Sequence, residues 1–78
     1  MTRCKFHCSS VTKTSYRQGD GSEKMLYTAD FFAVTEGSEE NKKFFAWTPS
    51  GSLKLGTYKE DLFQPGGEYY LDISEVTP

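Results

Sequence analysis

The chain has 78 residues and little of what most chemistry requires: one His, two Cys, one Trp and three Pro. No window approaches eighteen consecutive apolar residues, so no membrane helix is expected. The opening residues Met1–His7 lack the apolar run of a secretory signal. That predicts a protein kept in the cell that makes it, where thiols stay reduced. A single histidine, His7, sits on the polar face of the first apolar–polar alternation, and no motif surrounds the nearby Ser9 and Ser10. The carboxylate pairs Glu39-Glu40 and Glu60-Asp61 are sequence neighbours whose side chains point apart, with nothing to raise a pKa. Gly66-Gly67 follows a proline and precedes a strand rather than a helix, so it is no phosphate cradle. The chain therefore reads as a non-enzyme with no cofactor.

Aliphatic residues are few, whereas aromatics reach 15%, with six Phe, five Tyr and one Trp. Nine basic and eleven acidic residues leave a net charge of −2, which argues against an electrostatically driven nucleic-acid binder. The charge is uneven. Residues 1–24 hold five bases and two acids, whereas residues 60–78 hold five acids and no base. Either the first and last strands lie side by side and neutralise each other, or an acidic face meets a basic partner.

The dominant period is two, the signature of strands. Cys4, Phe6 and Cys8 alternate with Arg3, Lys5 and His7 in a strand that extends through Val11 and Thr12. Residues 14–23 read as a loop with Gly19-Asp20-Gly21 at its tip. A second strand covers 25–34, with Met25, Tyr27, Ala29, Phe31 and Ala33 on one apolar face. A polar loop over 36–42 follows, and a third strand is expected over 43–48. Thr48-Pro49-Ser50-Gly51 has the composition of a type I hairpin turn leading into a fourth strand, 52–55. Thr57-Tyr58-Lys59-Glu60 matches a capping box, so residues 58–63 are expected to form one or two helical turns. A last strand covers 68–76. This spacing predicts an all-β domain over 1–78: a small five-stranded antiparallel barrel with a Src-homology-type connection order and one short helical turn. An OB-type barrel is the alternative.

Cys4, His7 and Cys8 resemble metal ligands on paper. On a strand the two cysteines lie about 13 Å apart at about 3.3 Å per residue, and His7 points the other way. The spacing also forbids a disulfide without a bend, so both thiols are expected in the core and no metal is expected. Phe6, Tyr27, Phe31, Tyr69 and Phe44 are assigned to the core. Phe32, Phe45, Trp47 and Tyr70 are left over and form the candidate binding surface. Exposed aromatics of this kind anchor protein interfaces or stack single-stranded bases. The few neighbouring cations favour a protein partner, with single-stranded nucleic acid as the alternative and a homo-oligomer as a further possibility.

The segments Glu40-Asn41-Lys42-Lys43-Phe44-Phe45-Ala46-Trp47-Thr48-Pro49-Ser50-Gly51-Ser52-Leu53 and Phe63-Gln64-Pro65-Gly66-Gly67-Glu68-Tyr69-Tyr70-Leu71-Asp72-Ile73 carry a resemblance. Together with the Cys4-Lys5-Phe6 strand, they resemble a class of small phage- and prophage-encoded proteins. The shared motifs are turns and strands, so they bring no catalytic residues. The resemblance implies a phage accessory role: a virion component, a replication accessory or an inhibitor of a host system. It places the protein in the cytoplasm of an infected bacterial host or in the virion.

Overall fold

The computed structural model describes residues 2–45 and 47–77. The elements run β1 (Thr2–Arg17), β2 (Glu23–Ala33), α1 (Glu39–Phe44), β3 (Ser52–Thr57) and β4 (Glu68–Ile73). The strands form one antiparallel sheet in the order β3-β2-β1-β4. The one short described helix lies at Glu39–Phe44 rather than over 58–63, and the expectation of a mostly β chain holds. The five-stranded barrel does not: the described strands number four, and β3 and β4 lie at opposite edges of an open sheet.

The long β1–β2 hairpin is the spine of the molecule. Thr14, Ser15 and Tyr16, expected in a loop, stay in the ladder opposite Leu26, Met25 and Lys24. Thr and Tyr favour extended backbone, so the turn shrinks to Gln18–Ser22. Gln18 N–H donates to Ser22 O at 2.7 Å, and Asp20 Oδ1 accepts from Ser22 N at 2.9 Å. One residue is inserted between Cys8 and Ser10, where the register slips. This bulge reverses the parity of β1. Cys4, Phe6 and Cys8 face inward before it and Val11 after it, opposite Phe31 and Ala29 of β2.

The third expected strand, 43–48, does not form among the described residues, which leave out Ala46: a helix over Glu39–Phe44 takes in most of the expected 36–42 loop and the first two residues of that strand. Ser38 Oγ accepts the Asn41 N–H at 3.1 Å as an N-cap, Glu39 and Glu40 occupy the first turn, and Lys42 and Lys43 occupy the last. Capping and the helix dipole thus hold residues 39–44 as a helix, and the chain becomes extended only at Phe45. Without a strand before it, the 48–51 segment is not a hairpin turn. It delivers the chain to β3, with Gly51 O accepting from Ala33 N at 3.1 Å.

The helical turn expected over 58–63 is also absent. Thr57 ends β3, its Oγ1 accepts from Lys59 N at 3.1 Å rather than from residue 60, and Asp61 lies at φ 61°. A left-handed residue there interrupts any right-handed turn. The last strand stops at Ile73, which pairs with Thr2, rather than at Val76. The first and last strands do lie side by side, as one reading of the charge distribution predicts.

Residues 58–67 cross from β3 to β4 over the inner face, where Phe63 meets Phe31 edge-on at 4.9 Å and Tyr69 at 5.2 Å. Beneath and beside this crossing lie the buried Cys4, Phe6, Cys8, Ala29, Phe31 and Ala33. The molecule measures 48 × 36 × 17 Å, and its 15.4 Å radius of gyration exceeds the roughly 11–12 Å of a compact domain of this length. It is one sheet thick.

Candidate interaction surface

The side chains opposite the core form the outer face of the sheet. One row crosses all four strands: Ser52, Phe32, His7 and Glu68 are successive partners. Beside it, Lys5 pairs with Tyr70 and Arg3 with Asp72 across β1 and β4, and Asp30 pairs with Lys54 across β2 and β3. Phe32 is 52% exposed and Tyr70 54%. Two of the four predicted surface aromatics therefore share a face. Phe32 also borders a shallow depression of about 350 Å³ that includes His7, Val34, Glu36 and Glu68.

Phe45 does not belong to this surface. It is half-buried and packs against the core cluster, while Phe44, assigned to the core, is 40% exposed. The exchange follows from the helix: α1 ends at Phe44, and Phe45 turns into extended backbone at φ −90°, ψ 140°. Trp47 lies beyond it, 91% exposed, in the segment that leads to Ser52, the neighbour of Phe32. Tyr58, which the sequence reading did not single out, stacks on Tyr16 with ring centroids 6.0 Å apart, and its hydroxyl meets that of Tyr16. Its period-two position just past β3 was the available signal.

Three cations of the outer face are neutralised within the sheet, whereas Lys24, opposite Tyr16, stands over the Tyr58 ring at 4.9 Å from its centroid. Arg3 donates from Nε and Nη2 to the two carboxylate oxygens of Asp72 at 2.7 and 3.2 Å. Lys5 lies 3.9 Å from Glu68, and Lys54 lies 3.7 Å from Asp30. The hydrogen bond with Asp72 raises the Arg3 pKa further, and the guanidinium holds the Asp72 carboxyl below its ordinary range. Arg3 and Lys5 also stand over the Tyr70 ring, 4.7 and 5.6 Å from its centroid. Tyr70 is thus engaged as a cation–π clamp, and Phe32 and Trp47 remain the freer rings.

The two thiols lie on the inner face and His7 on the outer, so the three do not converge. Among the described residues no group of three or more His, Cys, Asp or Glu is placed to hold a metal ion. Cys4 Sγ donates to Leu71 O at 3.7 Å and Cys8 Sγ to Ser10 O at 3.6 Å. Burial, helped by the charge of Asp72, pushes the Cys4 thiol pKa up, the opposite of what a reactive thiolate needs. No described helix is long and apolar enough to cross a membrane. The chain matches no family model, and no curated protein or solved structure is similar enough to it to count as a match.

Proposed function

We propose that this chain is a non-enzymatic binding protein that acts through protein–protein contacts, with Phe32 and Trp47 as its anchors. The observation that carries this reading is an outer face where exposed aromatics stand among cations already paired with carboxylates. Such a surface offers apolar anchors in a near-neutral polar surround, the composition of a protein interface. A nucleic-acid surface releases counterions through unpaired cations, and Arg3, Lys5 and Lys54 are spent within the sheet. The alternative of an OB-like binder of single strands has less support for that reason, and because one stacking candidate, Tyr70, already carries Arg3 and Lys5 on its ring.

The resemblance to small phage-encoded proteins adds a context to this reading: an accessory protein of infection that binds a host or phage protein, or a component of the particle. Trp47 supplies the test. Its emission is titrated with single-stranded oligonucleotides at low and moderate salt. Unchanged emission is expected; saturable, salt-sensitive quenching in the micromolar range overturns the protein-partner reading as the primary role.

A further inference from the structure

Tyr16 and Tyr58 belong to strands that are not neighbours. The sheet order is β3-β2-β1-β4, so β2 runs between them. Tyr16 is the next-to-last residue of β1 and stands opposite Lys24 of β2. Tyr58 follows Thr57, the last residue of β3, which stands opposite Tyr27. Alternation puts Tyr16, Lys24 and Tyr58 on the outer face, at the end of β2 remote from Phe32. Neighbouring strands are only about 4.8 Å apart, so each tyrosine can lean over β2, and the rings meet above it. They stack with an interplanar angle of 25° and centroids 6.0 Å apart, and their hydroxyls touch. Lys24 Nζ over the Tyr58 ring adds a cation–π contact that fixes the orientation of that ring. Tyr58 is 55% exposed and Tyr16 half-buried, so a small oxidant reaches both from solvent. The other three tyrosines are engaged elsewhere. Tyr69 packs edge-on against Phe31 and Phe63 and its hydroxyl accepts Gln64 N–H, Tyr70 lies under Arg3 and Lys5, and Tyr27 lies under Lys13. Among the described residues, Tyr16 and Tyr58 are the one pair of phenol rings in contact.

We propose that Tyr16 and Tyr58 form an oxidative modification site, which a haem peroxidase acting with hydrogen peroxide joins into an intrachain dityrosine. Each phenol gives up one electron and its hydroxyl proton and becomes a phenoxyl radical. The two unpaired electrons pair as a bond between one Cε of each ring, the carbon beside the one that bears oxygen. The hydrogen on each of those carbons then moves to the oxygen of its own ring, which restores both phenols. Two ring C–H bonds are broken and one C–C bond is formed. The two electrons and two protons released reduce one peroxide to two waters. Coupling of two radicals is a second-order step, and the stacked pair replaces it with an intramolecular one. Its effective concentration lies far above that of chains at micromolar concentration. The link ties β1 to the end of β3 across β2, at the end of a sheet that is one layer thick. This inference is independent of the protein-binding reading of Phe32 and Trp47.

The full chain at low micromolar concentration is treated with a haem peroxidase and hydrogen peroxide. The expected product has the mass of one chain less two hydrogens and the blue emission of dityrosine, and peptide mapping links Tyr16 to Tyr58. Tyr16→Phe and Tyr58→Phe keep the ring and remove only the hydroxyl, and each is expected to lower that emission at least about tenfold. Tyr70→Phe is expected to leave it unchanged. In urea, the preference for this pair is expected to be lost. The mapping is made on the unaltered chain, so it stands even where a variant fails to fold. Absence of dityrosine overturns the proposal, as do products joined mainly between chains or through Tyr27, Tyr69 or Tyr70. A Tyr16–Tyr58 link that forms equally well in the unfolded chain overturns it in the same way.

Discussion

The side chain of Asn41 pairs with the backbone of Lys5 as a neighbouring strand residue does. Its Oδ1 accepts the Lys5 N–H at 2.6 Å, and its Nδ2 donates to Lys5 O at 2.8 Å and to Val34 O at 2.8 Å. β2 ends at Ala33 while β1 runs on to Thr2, so on the β2 side the Lys5 carbonyl still accepts Val34 N–H but the Lys5 N–H has no strand partner. A fully buried amide on α1 takes that place, which satisfies groups that are costly to leave unmade in the interior. Asn41→Ala removes all three bonds and is expected to cost about 3 kcal/mol. Urea denaturation measures it, and a loss under about 1 kcal/mol contradicts the role given to Asn41.

Phe45 and Trp47 differ in burial although the sequence groups them. Phe45→Ala is expected to lower stability by about 1–2 kcal/mol through lost apolar burial, whereas Trp47→Ala stays within about 0.5 kcal/mol. Thermal unfolding of the two variants compares them directly, and equal effects refute the core position of Phe45.

Gly51 adopts φ 143°, a conformation side chains rarely take, while its carbonyl holds Ala33. Gly51→Val is expected to cost about 1–3 kcal/mol in backbone strain. Ser50→Val, at an exposed site, is expected to change stability by no more than about 0.5 kcal/mol. The difference between their denaturation midpoints is the readout.

Cys4 and Cys8 are both fully buried, and burial raises the Cys4 pKa. Both are expected to resist a thiol reagent at neutral pH until denaturant unfolds the chain, since reaction needs an accessible thiolate. Rapid native labelling of either one is the contrary result.

Asp72 titrates below the ordinary carboxylate range because Arg3 hydrogen-bonds its charged form. Its unfolded value is about 3.9. The contribution of the pair to stability is therefore present above that pH and is lost as pH falls through the lower native value. Both groups are solvent-exposed, so the contribution is small. A carboxyl-carbon NMR titration is expected to give a midpoint below that of a model aspartate, and Arg3→Gln is expected to return it to the ordinary range.

Much of the sheet was legible in the sequence because its signals are local. Alternation placed Cys4, Phe6, Cys8, Ala29, Phe31 and Ala33 on the inner face, and it kept His7 away from the thiols. The candidate surface was legible in part: Phe32 and Tyr70 alternate against a buried set, but Phe44 and Phe45 are adjacent residues that alternation ranks in the wrong order. Only the cap at Ser38 and the anchorage of Asn41 decide which of the two turns inward. The capping box at Thr57 failed for a related reason, since the segment must cross the inner face to reach β4 and its backbone reverses at Asp61.

The sequence by itself determined a mostly β chain, the facing of most strand residues and the separation of His7 from the two thiols. Tertiary structure decided that the sheet stays open, that a helix takes up most of the expected 36–42 loop and the start of the expected third strand, and that β1 outruns both of its partners. Alternation reports which face a residue takes, because that depends on the pleat alone. It carries no information on which strands are neighbours or where a ladder loses its partner, because those depend on contacts between residues far apart in the chain.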